Sequence, residues 1–197
     1  MTTDVALTHR EVRAATFSPD SNSLVIGDVE GELHRWNLAR KAAGKTTRTT
    51  LGAVAGVAFS PDGKTLVTTH QSASGSGVMI WNTDTWTAVT RQGFGSAAFS
   101  QDGKMLALGG VGIELIDPRS QQEIRTIELP QMTLREALGR PERQPNGDTK
   151  NSLDALPGAD RKVPMSVDAL AFSPDGRTLA AGCKDGTVRL LQVNPEH

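Results

Sequence analysis

The chain is poor in cysteine, in net charge and in long apolar runs. Cysteine occurs once in 197 residues, at Cys183. A single cysteine excludes an internal disulfide framework and a multi-cysteine metal site, and it fits a reducing compartment. Neither sign of charge prevails: 21 Lys and Arg face 22 Asp and Glu, for a net charge of −1. That balance argues against a protein whose main partner is nucleic acid or an anionic membrane. No run approaches the roughly 18 apolar residues that a helical membrane span needs. Met1–Val5 shows neither a basic stretch nor the start of an apolar one, so no signal peptide is expected and a cytoplasmic location is.

Repetition is what the sequence has in abundance. One phrase occurs four times: Thr16-Phe17-Ser18-Pro19-Asp20, Ala58-Phe59-Ser60-Pro61-Asp62, Ala98-Phe99-Ser100-Gln101-Asp102 and Ala171-Phe172-Ser173-Pro174-Asp175. The phenylalanines stand 42, 40 and 73 residues apart, so a unit of about 41 residues repeats, with one insertion before the last unit. The match extends outward from the phrase. Five residues before each Phe stand Val12, Val54, Phe94 and Val167. Seven after it stand Leu24, Leu66, Leu106 and Leu179, and ten after it Gly27, Thr69, Gly109 and Gly182.

Each unit reads as consecutive strands. The segment ending at each Phe is apolar or small at nearly every position, which predicts an inner strand buried on both faces. Pro-Asp-Gly at 61–63 and 174–176 marks a turn, and Asp185-Gly186 a second, tight one. Second and third strands follow, as in Thr65–Thr69 and Thr187–Leu191. A more polar fourth strand is expected at Thr46–Leu51, Trp86–Arg91 and Glu123–Glu128, where polarity suits an outer edge.

Phe-Ser-Pro-Asp-Gly-x-x-Leu, then Gly, then a strand ending in Trp36-Asn37 or Trp81-Asn82, resembles the WD40 repeat, the blade of a β-propeller. The resemblance covers about 160 of the 197 residues. It implies an all-β fold of four-stranded blades, four in this chain. The Trp-Asp ending of the family is here Trp-Asn twice, Ile116-Asp117 and Leu191-Gln192, and its Gly-His survives only as Thr8-His9. The Asp–His–Ser/Thr–Trp network that often braces such blades is therefore expected to be mostly absent, leaving packing to hold them. Residues 1–197 read as one propeller domain or segment with a loop insertion at about 130–164. Thr133–Leu138 could form a helical turn or two within it, and Gln71–Gly77 a flexible tip.

Four blades are few for this family, and three arrangements stay open. The chain closes alone; two copies close together by exchanging terminal strands; or it is part of a longer propeller. Asp4–Leu7 offers a spare strand for either of the first two.

Little in the sequence suggests chemistry. Gly44-Lys45-Thr46 resembles the end of a phosphate-binding loop but lacks its earlier glycine and its helix. His9, His34, His70 and His197 show no ligand spacing, so no metal or other cofactor is expected. Cys183 stands where other units carry small residues and reads as a buried thiol. Ser76 lacks a nucleophile-elbow motif.

Three residues stand out as candidate protein contacts. Four positions before each Phe stand Arg13, Ala55, Gly95 and Asp168. Opposite charges thus enter an otherwise small strand, at a region that the family resemblance places beside the narrow face and central channel. Arg13 and Asp168 either line a contact face or pair with each other. Trp86 has no counterpart in the other units and lies near an outer strand. The resemblance implies a non-catalytic scaffold that binds another protein. The alternative is a regulatory or sensor segment of a larger protein, for example beside a kinase or NTPase. A propeller enzyme would need polar side chains at equivalent positions of successive blades, where this chain has mostly Ala, Gly and Val.

Overall fold

A computed structural model describes residues 11–73, 75–133 and 161–193. The described residues contain strands and turns and no helix. The first blade is β1 (Val12–Phe17), β2 (Ser23–Asp28), β3 (Glu32–Asn37) and β4 (Ala42–Arg48). The second is β5 (Val54–Phe59), β6 (Thr65–Ser72), β7 (Gly75–Asn82) and β8 (Ala88–Gln92). The third is β9 (Phe94–Phe99), β10 (Leu106–Gly110), β11 (Gly112–Ile116) and β12 (Glu123–Ile127). A two-stranded ribbon, β13 (Met132–Thr133) with β14 (Lys162–Val163), joins the roots of the insertion. The fourth blade is β15 (Val167–Phe172), β16 (Thr178–Cys183) and β17 (Val188–Gln192). Each blade is an antiparallel meander with its strands in sequence order.

The repeated phrase folds into a lock at the first turn of each blade. In the second blade the Ser60 hydroxyl lies 2.7 Å from Asp62 Oδ1, and the Thr65 amide donates to Ser60 Oγ at 2.9 Å. The same bonds recur at Ser18, Ser100 and Ser173, whose Oγ atoms lie 2.5, 2.7 and 2.6 Å from Asp20, Asp102 and Asp175. The serine closes the turn and the aspartate closes the serine, so both residue types are required where only Pro and Gly were read as turn signals.

Three apolar cores fill the three spaces between four blades. Val25 and Leu33 of the first blade meet Val54, Leu66, Met79 and Trp81 of the second. Val67, Val78 and Ile80 meet Leu106, Leu108 and Ile116. Ile113 and Leu115 meet Val167, Leu179, Ala181 and Cys183. The inner strands deliver a side chain into a notch on the blade before: a Cβ on Gly27 would lie 2.7 Å from Val54 Cβ, and one on Gly109 2.9 Å from Val167 Cγ1. Glycine stands at 27 because Val54 of the next blade occupies the space of a side chain, and at 109 because Ser96 of its own blade and Val167 of the next together do.

Several expectations need correction. The inner strands are not buried on both faces; β1 and β15 carry several exposed residues, whereas long buried runs lie in the second strands β2, β6 and β10 and in the third strand β7. Second strands have neighbouring strands on both edges, and those of the second and third blades have blades on both faces, whereas the inner strand has one edge without a neighbour in its sheet. The first outer strand is Ala42–Arg48 rather than Thr46–Leu51, and it absorbs Gly44-Lys45-Thr46 with no helix after it. Gln71–Gly77 is no loose tip: Gln71 pairs with Ser76 and Ser72 with Gly75 as the strands run on to the turn. Thr133, expected to cap a helix, lies in a strand, and residues 134–138 fall outside the described residues, as do Asp4–Leu7, His9 and His197.

Candidate interaction faces

Strand direction divides the blades into two ends. One end carries the first turn of every blade and the β3–β4, β7–β8 and β11–β12 turns. The other carries the β2–β3, β6–β7, β10–β11 and β16–β17 turns and the starts of the inner strands. Trp86 belongs to the first end and Arg13 and Asp168 to the second, so the three candidate contact residues do not converge.

The first end is a rim of fixed charges. The Asp20, Asp102 and Asp175 carboxyls are held below the usual carboxylate range, chiefly by their serine hydroxyls. Asp62 is lowered to about 2 by Ser60, the Lys64 amide and Arg119. Arg119 Nη2 donates to Asp62 Oδ2 at 2.6 Å, tying the third blade to the second.

Trp86 sits in a cleft of about 310 Å3 between the first two blades, lined by Pro19, Asp20, Arg35, Asp62 and Thr83. Its turn places it there: the Trp86 amide donates to the Asn82 carbonyl at 2.8 Å, and Trp86 takes a positive φ of 57°. One side of the indole packs near Trp81, with ring centroids 6.4 Å apart. The Arg35 guanidinium of the first blade lies over it, 4.0 Å from the ring centroid. Trp86 is therefore part core and part cleft wall. A corresponding cleft of about 410 Å3 between the second and third blades is lined by Lys64, Asn82, Asp84, Pro118 and Arg119.

At the other end, Arg13 and Asp168 are both exposed and are not paired with each other. Arg13 Nε donates instead to Glu11 Oε1 at 3.2 Å. The pairing expected of adjacent units in a closed ring is not formed, because β15 packs on β9 and β10 and no closed ring appears among the described residues.

Two histidine arrangements were hidden from the sequence. His70 is fully buried, and its Nδ1 lies 3.0 Å from the Gly52 carbonyl, so Nδ1 carries the proton. Burial lowers the His70 pKa, which leaves Nε2 an acceptor for the Thr68 hydroxyl at 2.7 Å. Thr68 Oγ1 accepts in turn from Trp81 Nε1 at 3.0 Å. A His–Thr–Trp chain thus braces the second blade, although such a network was not expected. Its histidine comes from the end of β6 rather than from a Gly-His before the first strand.

The second arrangement lies on the β2–β3 hairpin. Buried Asp28 accepts from the Glu30 and Glu32 amides at 3.0 and 2.8 Å, and its Oδ2 lies 2.9 Å from His34 Nε2. Donor atoms of Asp28, Glu32 and His34 all lie within 4.8 Å of one another, close enough to hold a cation after a small contraction. Only the hairpin register brings them together, which no linear spacing motif reveals. Cys183 is buried as expected, and burial raises its thiol pKa, the opposite of an activated nucleophile.

The geometry thus defines an all-β protein of stacked propeller blades with charged rims and clefts between them. The WD domain, G-beta repeat model, that of the WD40 family, matches residues 44–82 and 156–191, covering the second and fourth repeat units. These matches support the WD40-repeat family for the chain. Comparison with the curated proteins gives no match. No helix among the described residues is long and apolar enough to cross a membrane.

Proposed function

We propose that the chain is a non-catalytic interaction module of cytoplasmic type that uses the rim cleft between its first two blades to hold another protein. WD40 repeats generally mediate protein–protein interaction. The observation that carries the reading is the cleft itself. It offers an indole wall, a guanidinium and two ionised carboxylates at fixed positions, the mix of aromatic and Arg typical of binding hot spots. Arg13 and Asp168, exposed at the opposite end, form a secondary surface for the same kind of contact.

The test is quantitative affinity capture by the wild-type chain and by Trp86→Ala, Thr83→Arg and Arg13→Ala, each first shown to unfold cooperatively. The expected result is a protein retained by the wild type, lost with the two cleft variants and weakened by Arg13→Ala. Identical capture by all four chains overturns the cleft as the contact site.

A further inference from the structure

The first and third spaces between blades are built from the same two half-faces, and one of each is left over among the described residues. The leading half-face of a blade delivers the residue five before the Phe. Val54 and Val167 play this part and are 0% and 1% exposed, yet the equivalent Val12 is 48% exposed. The trailing half-face receives that side chain at the notch ten after the Phe. Gly27 is filled by Val54 and Gly109 by Ser96 and Val167, whereas among the described residues a Cβ on the equivalent Gly182 would meet only Ala169 of its own blade, at 3.4 Å.

The third strands repeat the asymmetry. Register pairs Leu33 with Gly27, Ile113 with Gly109 and Val188 with Gly182. Leu33 and Ile113 are 0% and 1% exposed and Val188 is 69% exposed. Ile80 and Leu115, the counterparts of Leu190, are 1% and 0% exposed, whereas Leu190 is 72% exposed. Phe17, in the first blade, is 61% exposed. Among the described residues a leading half-face is thus open at Val12 and Phe17, beside the buried Ile26 and Asp28, and a trailing half-face at Gly182, Val188 and Leu190, and each offers the contacts that the other needs.

We propose that the occupant of both is a second copy of this chain, the first blade of each copy docking on the fourth blade of the other. Val12 of one copy enters the notch at Gly182 of its partner, over Val188 and Leu190, as Val54 enters at Gly27 within the chain. The contact continues an interface that the chain already forms twice. Because each copy has one half-face of each kind among its described residues, two copies form two such contacts and close. The product has eight blades, within the range that propellers close.

The experiment is light scattering of the full chain across a concentration series, with three variants at exposed or open positions. The wild type is expected at twice the chain mass of 20.9 kDa. Gly182→Ala and Leu190→Arg, which touch nothing that the single chain needs, are expected to halve that mass while keeping the far-UV spectrum and cooperative unfolding. Val12→Glu is expected to do the same from the other half-face. An equimolar mixture of Leu190→Arg and Val12→Glu restores one intact contact and is expected to regain the doubled mass. A wild type at 20.9 kDa at every concentration overturns the proposal, and so does an open series of larger species. A doubled mass untouched by all three variants places the contact elsewhere and overturns it as well. If removing residues 2–10 turns a single-chain species into the doubled one, the chain's own N-terminal segment is the occupant and the second copy is not.

Discussion

The Arg35 guanidinium lies over the Trp86 ring, 4.0 Å from its centroid, and this contact joins the first blade to the second. Arg35 also donates from Nε to the Lys45 carbonyl at 3.1 Å, so its planar head is fixed before it meets the indole. The blade interface below is sealed by Val54 and Trp81; the stack above it closes the floor of the rim cleft. A lysine could keep the charge but neither the stacking plane nor the fork. Arg35→Lys is expected to lower stability by about 0.5–1 kcal/mol and Arg35→Ala by about 1–2 kcal/mol. A double-mutant cycle with Trp86→Phe, read by urea denaturation, checks that the loss belongs to the pair.

His70 predicts a pH dependence. Burial lowers its folded pKa from the ordinary 6.5, so the native state keeps it neutral where the unfolded chain takes up a proton. The unfolded state then binds more protons below about pH 6.5, and stability falls as pH falls from there toward the folded pKa. The slope cannot exceed about 1.4 kcal/mol per pH unit for one group. Urea midpoints at pH 7.5 and 5.5 are expected to differ in the wild type, and the difference should shrink in His70→Asn. An undiminished difference in the variant would assign the effect to another group.

Thr68 is the hinge of the same chain of bonds. It is fully buried and serves both Trp81 Nε1 and His70 Nε2. Thr68→Val keeps the shape but strands a donor and an acceptor, at about 1–3 kcal/mol for each unsatisfied group. Thr68→Ser keeps the hydroxyl and is expected to avoid most of the loss. Thermal unfolding of the two variants separates hydrogen bonding from packing.

The blade architecture was legible because burial repeats with the unit. Phe, Leu and Gly recur at fixed offsets since each blade meets the next through the same atoms. Charge and hydrogen bonding repeat less faithfully, and there the sequence misleads. Asp28 and His70 occupy one equivalent position, eleven after the Phe, and each finds a different solution in its own hairpin. Arg13 and Asp168 invited pairing because a closed ring would make their blades neighbours; the described chain leaves those blades apart. Trp86 was singled out as lacking a counterpart, but its positive φ, set by the turn, could not be read from its identity.

The serine–aspartate lock gives a prediction at atomic detail. The Ser60 hydroxyl is the largest influence lowering Asp62 to about 2. Ser60→Ala removes it and also strips the buried Thr65 amide of its acceptor. The expected cost is about 1–3 kcal/mol. The Asp62 carboxyl should move up toward its ordinary 3.8, which an NMR titration of the folded variant reads directly. The wild-type contribution of Asp62 is fully present above about pH 4 and is lost as pH falls toward 2. The stability gap between wild type and Asp62→Asn should therefore narrow across that window.

Two glycines at equivalent positions should respond oppositely to the same substitution. A methyl at Gly27 would meet the buried Val54 side chain, its Cβ only 2.7 Å away. Val54 is 0% exposed and held between two blades, so it cannot swing aside without opening the core. Gly27→Ala is expected to destabilise by about 1–3 kcal/mol, the usual range for an overpacked interior. At Gly182 the same methyl lies in ordinary contact with Ala169, at 3.4 Å. Gly182→Ala should leave the single chain unharmed or stabilise it by up to about 1 kcal/mol through the unfolded state. Urea unfolding of both variants, at concentrations low enough to keep chains apart, checks the contrast. Equal losses at the two sites would mean that the Gly182 notch is already filled from within the chain.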